Sequence, residues 1–567
     1  MAFDGQTAGP VSATSNTGVQ TGSSVGGTTA GLYLHLMANQ TNPVTFHTTV
    51  ANSASSGIRF NSITIDAGAG TFNFGKGSTT NALDTIWGTS NPQSHGFTNN
   101  SANPAIINSD VRFRLGAGGA HTFIFAGTGD WYVTNDLANF GGAATLITKA
   151  GPGTMYWTAG HNAYWGTVTV IASPMTIADG TLVLKSGGLI PAMSKINNNG
   201  TALVYDAPAS SQAGGAQTIN DAINGTGSLR VNNGTLTLGG SNTFTGNITL
   251  SGGELVVNHA ENLGVNGPLG NGGFISFTGG TLGFSVNNTY DYSPRFTNAP
   301  GQAISIDTAG LNVTFTSALT SSGGSLTKLG AGTLTLSGQG AYTGRTFVNG
   351  GALIINSGNL AYYTTVLDGT LGGNGTLSGP VTLNAGTTFA PGASAGSVGT
   401  LTINNSLTNG GNLAIEVNKS LSPSNDLVVV SGLLINTGTG TLTVSNLGPA
   451  VAVGDKFTLF SKPMQNGAAV IVSGARANWI NNLAVDGSIT VGSLIPSPTL
   501  NFTRTGNSLQ FTWTDSFNSF KLQSQTNSLA SGLGANWADY PGGGTSPVTV
   551  TIGMTNGAVF FRLLSTP

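Results

Sequence analysis

The residues of this sequence able to do acid–base or metal chemistry are sparse. Its more widely spaced acids, Asp110, Asp130, Asp136, Glu254, Asp291, Glu416, Asp426 and Asp455, stand scattered along the chain. Glycoside hydrolysis needs two carboxyl groups flanking one bond, and polysaccharide lyases need acidic calcium ligands beside a base. With 20 acidic residues in 567, such a pair could arise only where a winding chain brings distant positions together. His35, His47, His95, His121, His161 and His259 form no HxH or HExxH spacing. Cysteine is absent, which removes thiolate metal sites and disulfides. "GGNGTL" has the glycines of a calcium-binding turn without its aspartate, and neither a phosphate loop nor a GxSxG elbow occurs. The many Gly-x-Gly pairs read as chain corners. Catalysis, a cofactor and a metal are therefore not expected.

Ring surface is the better-supplied chemistry. Trp131 and Tyr132 fall in "GDWYVTND", with Tyr156 and Trp165 following, and Phe347 lies far downstream. An aromatic face on a flat β-surface can stack on a sugar ring or on a partner subunit. It can equally be covered by its own chain as a satellite core, for which the inserted segment "ASPMTIA" is the candidate. These readings stand side by side for Tyr156, Trp165, Trp131 and Tyr132 as a candidate contact surface, and Phe347 shares the ambiguity.

Which way such rings point depends on the elements that carry them. In "KLGAGTLTLSGQGAYTGRTFVNGGALIIN", Leu334 and Leu336 share one face of an extended strand and Thr333 and Thr335 the other. Thr346 and Val348 share a face after the next turn, and Leu353 and Ile355 after the Asn349-Gly350-Gly351 corner. This is a period of two broken by glycine corners, which suits strands and no helix.

The phrase recurs as "RVNNGTLTLGGSNTFTGNITLSGGELVV" and as "KAGPGTMYWTAGHNAYWGTVTV". Aligned on Thr154, Thr235 and Thr333, each copy has a basic residue five positions earlier, Lys149, Arg230 or Lys328. Each then has an apolar pair, Met155/Trp157, Leu236/Leu238 or Leu334/Leu336. An aromatic-x-Gly follows, Tyr164-Gly166, Phe244-Gly246 or Tyr342-Gly344, then an inward pair, Val168/Val170, Ile248/Leu250 or Thr346/Val348. The basic residues are expected to be solvated or to lie along a ladder. Tyr156 and Trp165 occupy positions where the other copies have the outward threonines Thr237, Thr335, Thr245 and Thr343.

These phrases closely resemble the autotransporter-associated (passenger-associated transport) β-strand repeat of bacterial surface and secreted proteins. "GIRFNSITIDAGAGTFNFG" resembles the coils that precede such repeats, and "GTLGGNGTLSGPVTLNAGTTFAPGASAGSVGTLTINNSLTNGGNLAIEV" the segment that ends them, so roughly residues 55 to 495 are covered. The resemblance implies a right-handed parallel β-helix (a β-solenoid) at the cell surface or outside a Gram-negative-type bacterium, and says little of activity. Physical reasoning agrees: inward Leu, Ile and Val of successive coils stack into one core, and no coil is stable alone. The copies lie 81 and 98 residues apart, too far for one coil. At ~4.8 Å per coil and about 20–25 residues in each, the rod would be on the order of 90–100 Å long.

Both ends differ in texture. Residues 1–30 are small and polar and read as an N-terminal arm, lying along its own rod or, preferably, docking on another subunit. "MAFDGQTAGP" has neither the basic end nor the apolar stretch of a signal peptide, so a removed or omitted leader is expected. Residues 31–495 would be the β-helix. After Pro496 and Pro498, residues 496–567 read as five or six short strands of an antiparallel sandwich, with Phe511, Trp513, Trp537 and Phe560 in its core. That segment resembles an immunoglobulin-like or fibronectin-like domain. It is too short for the ~12-strand outer-membrane barrel that ends many autotransporters, so self-translocation by that route is not expected.

Only 7% of residues are charged, against roughly 25% in an ordinary soluble protein. The net charge of −2 gives no reason to bind nucleic acid or anionic membrane. No apolar run reaches the ~20 residues of a membrane span. Weak repulsion between copies permits close approach, and open rod ends invite a further strand. The sequence thus points to an all-β secreted structural protein without enzymatic activity, self-associating through rod ends, arm and C-terminal domain into a homopolymer or surface layer. The alternative is an adhesin gripping an extracellular glycan or host surface through exposed aromatics, and a polysaccharide lyase or hydrolase ranks below both.

Overall fold

A computed structural model gives the architecture. It describes residues 215–565 except 357–358, 361, 395, 497, 515–519, 528–532 and 552–557. Before them it describes 2–4, 11–14, 32–36, 44–47, 58–75, 83–87, 93–108, 111–115, 121–134, 145–158, 175–185 and 195–208. Among the described residues the chain is strand and turn, with two single-turn 3-10 segments, Ser293–Arg295 and Gly467–Ala469. Two sheets of 11 strands and one of 17 run along it, and from Val44–His47 to Ile471–Gly474 their pairings are parallel. Parallel neighbours cannot be joined by a tight hairpin, so the chain must wind round between them. The result is a parallel β-helix.

One inward row shows how alternation makes the core. Phe72, Ala105, Trp131, Met155, Leu182, Leu203, Leu229, Ile248 and Ile275 lie in register on successive rungs, 19 to 33 residues apart in sequence. Each is at most 1% exposed. A single core runs unbroken from Leu36 to Val491, each large side chain in it contributing about 1.5–3 kcal/mol by leaving water. The aromatic-x-Gly corner has a mechanical basis. Phe244 and Tyr342 are buried, and a Cβ on Gly246 or Gly344 would stand 2.1 or 2.2 Å from the Gly227 or Gly324 carbonyl oxygen of the preceding coil. Only a bare backbone fits there.

The basic residues correct the sequence reading. Lys149 and Lys328 are not solvated but buried, 1% and 0% exposed, while Arg230 is exposed. Lys149 lies in register between Phe125 and Ile177, and Lys328 between Ile306 and Val348, so each alkyl stem occupies a place in an apolar row. At the corner the Lys328 Nζ donates to the carbonyls of Leu329 (2.7 Å), Gly330 (2.8 Å) and, on the next coil, Gly350 (3.2 Å). The Lys149 Nζ repeats this with Ala150, Gly151 and Asp179. Gly151 and Gly330 take φ of 76° and 68°, the left-handed turn that presents their carbonyls to the ammonium. In the middle copy Val231, not Arg230, takes the inward place, over Leu250. A shift of one residue reverses the face.

Two other expectations change. Met175–Ile177 of the supposed inserted loop is an inward–outward–inward rung strand, with Met175 and Ile177 fully buried, so that part of "ASPMTIA" builds the helix instead of covering it. The N-terminal arm pairs in cis: Ala2–Asp4 lies antiparallel to Val44–His47, and Val11–Thr14 antiparallel to Leu32–Leu36. At the other end, beyond the last parallel rung, Lys456–Thr458, Ser488–Leu494 and Ala477–Asn482 form an antiparallel sheet whose Phe457, Ile489 and Val491 extend the same core.

After residue 496 two three-stranded antiparallel sheets follow, one of Asn501–Thr505, Ser508–Thr512 and Val548–Thr551, the other of Phe520–Asn527, Ala538–Asp539 and Ala558–Ser565. Phe511, Trp513, Phe520, Leu522, Val548 and Val550 form a separate core. Phe560 is not in it. Its neighbour Phe561 packs there, 4.5 Å from Phe511 between ring centres, and Trp537 lies half-buried under Arg562 at 4.3 Å.

Candidate contact surface

The outward side of the first sheet carries the sequence-predicted rings. Its register runs Asn73, Ile106, Tyr132, Tyr156, Val183, Val204, Arg230, Thr249, Ser276. Tyr132 and Tyr156 face outward from adjacent rungs, half-buried, and stack at 4.6 Å with 16° between planes. Adjacent rungs supply that spacing without adjustment, because neighbouring strands lie ≈ 4.7–4.9 Å apart. Burial, then the neighbouring Tyr156 and Asp130, pushes the Tyr132 hydroxyl up, so it stays protonated and able to donate. Lys185 reaches within 6.0 Å of the Tyr156 ring centre while paired with Asp206. The row stays apolar through Val183 and Val204, which face outward yet are only 7% and 6% exposed, so this end of the stripe is covered. From Arg230 onward the row is polar.

Trp131 is not part of that surface. It is 0% exposed and sits edge-on to Phe97 and Phe125 at 5.8 and 5.6 Å, its Nε1–H donating to the Ala126 carbonyl at 3.1 Å. Its strand is three residues long, so the inward–outward–inward pattern places Trp131 and Val133 inside and Tyr132 out. Trp165, with Tyr164, Gly166, Val168 and Val170, lies outside the described residues.

Phe347 does face outward, half-buried, on a row of hydroxyls: Ser305, Thr327, Phe347, Thr365, Thr382, Thr408. Sequence reading missed its neighbours. Tyr362 and Tyr363 are 48% and 41% exposed with ring centres 6.0 Å apart, and the Arg345 guanidinium stands 5.6 Å over the Tyr363 ring. The usable signal was positional: both Arg345 and Tyr363 directly precede an inward threonine, Thr346 or Thr364.

The acids give a different picture. Of those singled out, Glu416 and Asp426 come together, buried at 8% and 0% exposure. The Asp426 carboxylate accepts the backbone N–H of Gly399 and of Glu416, each at 2.7 Å, tying separate strands together. Burial and the adjoining Glu416 push its carboxyl up. Among the described residues no three of His, Asp and Glu gather as a metal site, and no helix is long and apolar enough to cross a membrane.

Comparison with known proteins fits this architecture. Residues 231–257 and 326–355 match the family described as passenger-associated-transport-repeat. These are the second and third copies of the repeat, and the first, around Thr154, lies outside the matched stretches. The chain is also 31% identical over 274 residues to the adhesin BmaC autotransporter of Brucella suis biovar 1 (strain 1330). That alignment takes in 43% of this chain and 8% of the relative's length, so the chain spans a small part of that protein. Both findings point to the surface or exterior of a Gram-negative cell. The chain is a parallel β-helix built with passenger-associated-transport repeats.

Proposed function

We propose that this chain is a non-enzymatic adhesin-type passenger, a rod that holds contact surfaces away from the cell and binds through outward aromatic residues. The single observation that carries the reading is the Tyr132–Tyr156 stack on a face where later rungs carry threonine, serine or arginine. The two stacked rings stand as an apolar ridge one rung wide, with ring edges and two hydroxyls turned outward, against which a sugar or a protein side chain can lie. The autotransporter adhesin relative supports the same role. Residues 1–30 are assigned as an arm, 31–495 as the rod and 496–567 as an immunoglobulin-like or fibronectin-like end domain, whose separate core supports that division.

Polymerisation through rod ends ranks second. Low charge favours it, but the parallel edge at the N-terminal end is occupied by short antiparallel strands of the same chain, and short edge strands are poor templates for a further copy. The test is attachment of purified protein to host cells and to immobilised glycans. Replacing Tyr132 and Tyr156 with threonine should remove most attachment while melting is unchanged; attachment at the native level would refute this surface.

A further inference from the structure

Among the described residues of the rod, the most exposed aromatic pair, Tyr362 and Tyr363, leads into a strand of the 17-stranded sheet, whereas Tyr132 and Tyr156 lie on the first 11-stranded sheet. Three features coincide there. Tyr362 and Tyr363 stand at 68° to one another, so together they form an open corner and not a closed stack. Arg345 covers one ring of that corner, and among the described residues no carboxylate pairs with it. By contrast Lys185, Lys419, Lys456 and Lys521 each hold an aspartate. Beside the corner, Phe347 interrupts a row whose other members, Thr327, Thr365, Thr382 and Thr408, repeat a hydroxyl at each rung.

We propose that Arg345, Phe347, Tyr362 and Tyr363 form a binding subsite for an acidic saccharide, a chain of sugars bearing carboxylates. Sugar rings present an apolar C–H face and a polar rim. The aromatic corner takes the face, and the threonine rows take the rim through hydroxyl hydrogen bonds. The uncompensated guanidinium supplies the charge preference, since Arg pairs with a carboxylate in two parallel hydrogen bonds. Rungs repeat at ≈ 4.8 Å, close to the length of one pyranose, so an extended chain laid along the rod meets a new threonine at about each residue. A polypeptide partner would use the rings equally well but has no reason to need the hydroxyl ladder. This subsite rests on the adhesin reading and names a ligand class for it.

Calorimetric titration of the full chain with oligomers of hyaluronan and of polygalacturonate, and with neutral dextran oligomers of equal length, decides it. The proposal expects at least one uronate oligomer to bind more tightly than dextran. Tyr363→Ala and Arg345→Gln should each weaken that binding by about fivefold or more, and methyl esterification of the sugar carboxylates should do the same. Arg504→Gln, at an exposed arginine outside both aromatic surfaces, should leave it unchanged. Equal affinity for uronate and dextran, no binding of either uronate, or binding indifferent to both substitutions would overturn it. Melting curves of the variants, whose side chains are exposed, check that folding is intact. Attachment to cells, measured in parallel, separates the two readings: attachment without uronate binding removes the subsite alone, whereas loss of attachment by the native protein removes the adhesin reading.

Discussion

At the residue scale the two buried lysines are the most informative positions. Burial pushes both ammonium groups from 10.5 down to about 8, even though Asp179 and Asp130 beside Lys149, and Asp307 beside Lys328, favour the charge. The unfolded chain therefore takes up protons near pH 10.5 that the folded chain accepts only near pH 8. Stability should rise as pH goes from about 8 to about 10, and that gain is lost as pH falls through about 8. Buried Tyr205, pushed up to about 12, acts only above pH 10, where the unfolded tyrosine ionises and stability falls again. Chemical denaturation at pH 7, 8, 9 and 10 checks the window: the native chain should gain stability across it, and a Lys149→Met/Lys328→Met double variant should show a flatter response. Lys328→Ala should cost about 2–4 kcal/mol through the lost stem and three carbonyl partners. Arg230→Ala, outward and exposed, should change stability by no more than about 0.5 kcal/mol. The sequence made these three residues equivalent because their distance to the next strand is the same. What separates them is one residue of corner geometry, which spacing does not record.

At the element scale, strands with alternating Leu, Ile and Val were legible, and the rows through Leu236, Leu334 and Leu353 lie where that pattern puts them. Rungs with polar inward positions were harder to read. His95 is 1% exposed and packs 5.3 Å from Phe123, and Asn409 and Asn436 are buried one above the other on adjacent rungs. No apolar alternation announces such places, since Asn takes them by bonding corner carbonyls, as Asn436 does with Gly438. Trp131 was misplaced for a related reason: three apolar residues in a row do not say which of them faces in. Glycine corners make a sharper prediction. Gly344→Ala should destabilise by about 1–3 kcal/mol or more, because its Cβ would overlap the Gly324 carbonyl and force two coils apart. Ala341→Gly, at an exposed position of the same turn, should cost well under that, and thermal melting of both variants compares them directly.

At the scale of the whole molecule, repetition separates stability from function. Inward rows carry the fold, while outward positions are not held by the core, so in the proposed reading threonine and serine rows serve as background and aromatic interruptions as sites. That the chain is built of strands was plain from alternation and glycine corners, and the parallel β-helix was implied by the resemblance to the passenger-associated transport repeat. The contact surface was legible only in part, because Tyr132 and Tyr156 are in different copies of the winding and become neighbours only when rungs stack, while Tyr362 and Tyr363 fall outside the aligned repeat. The cis-paired N-terminus gives one prediction here. Deleting residues 1–14 uncovers the edges of Leu32–Leu36 and Val44–His47, so the truncated chain should associate with rising concentration in sedimentation velocity while the full chain does not. The central claim is that outward rings, and not the rod itself, make the surface contact. Its most direct test is attachment of the native chain against a Tyr132→Thr/Tyr156→Thr variant on the same cells. The account predicts at least about a tenfold loss, roughly 1.4 kcal/mol, at an unchanged melting temperature; equal attachment by two equally stable proteins would contradict it.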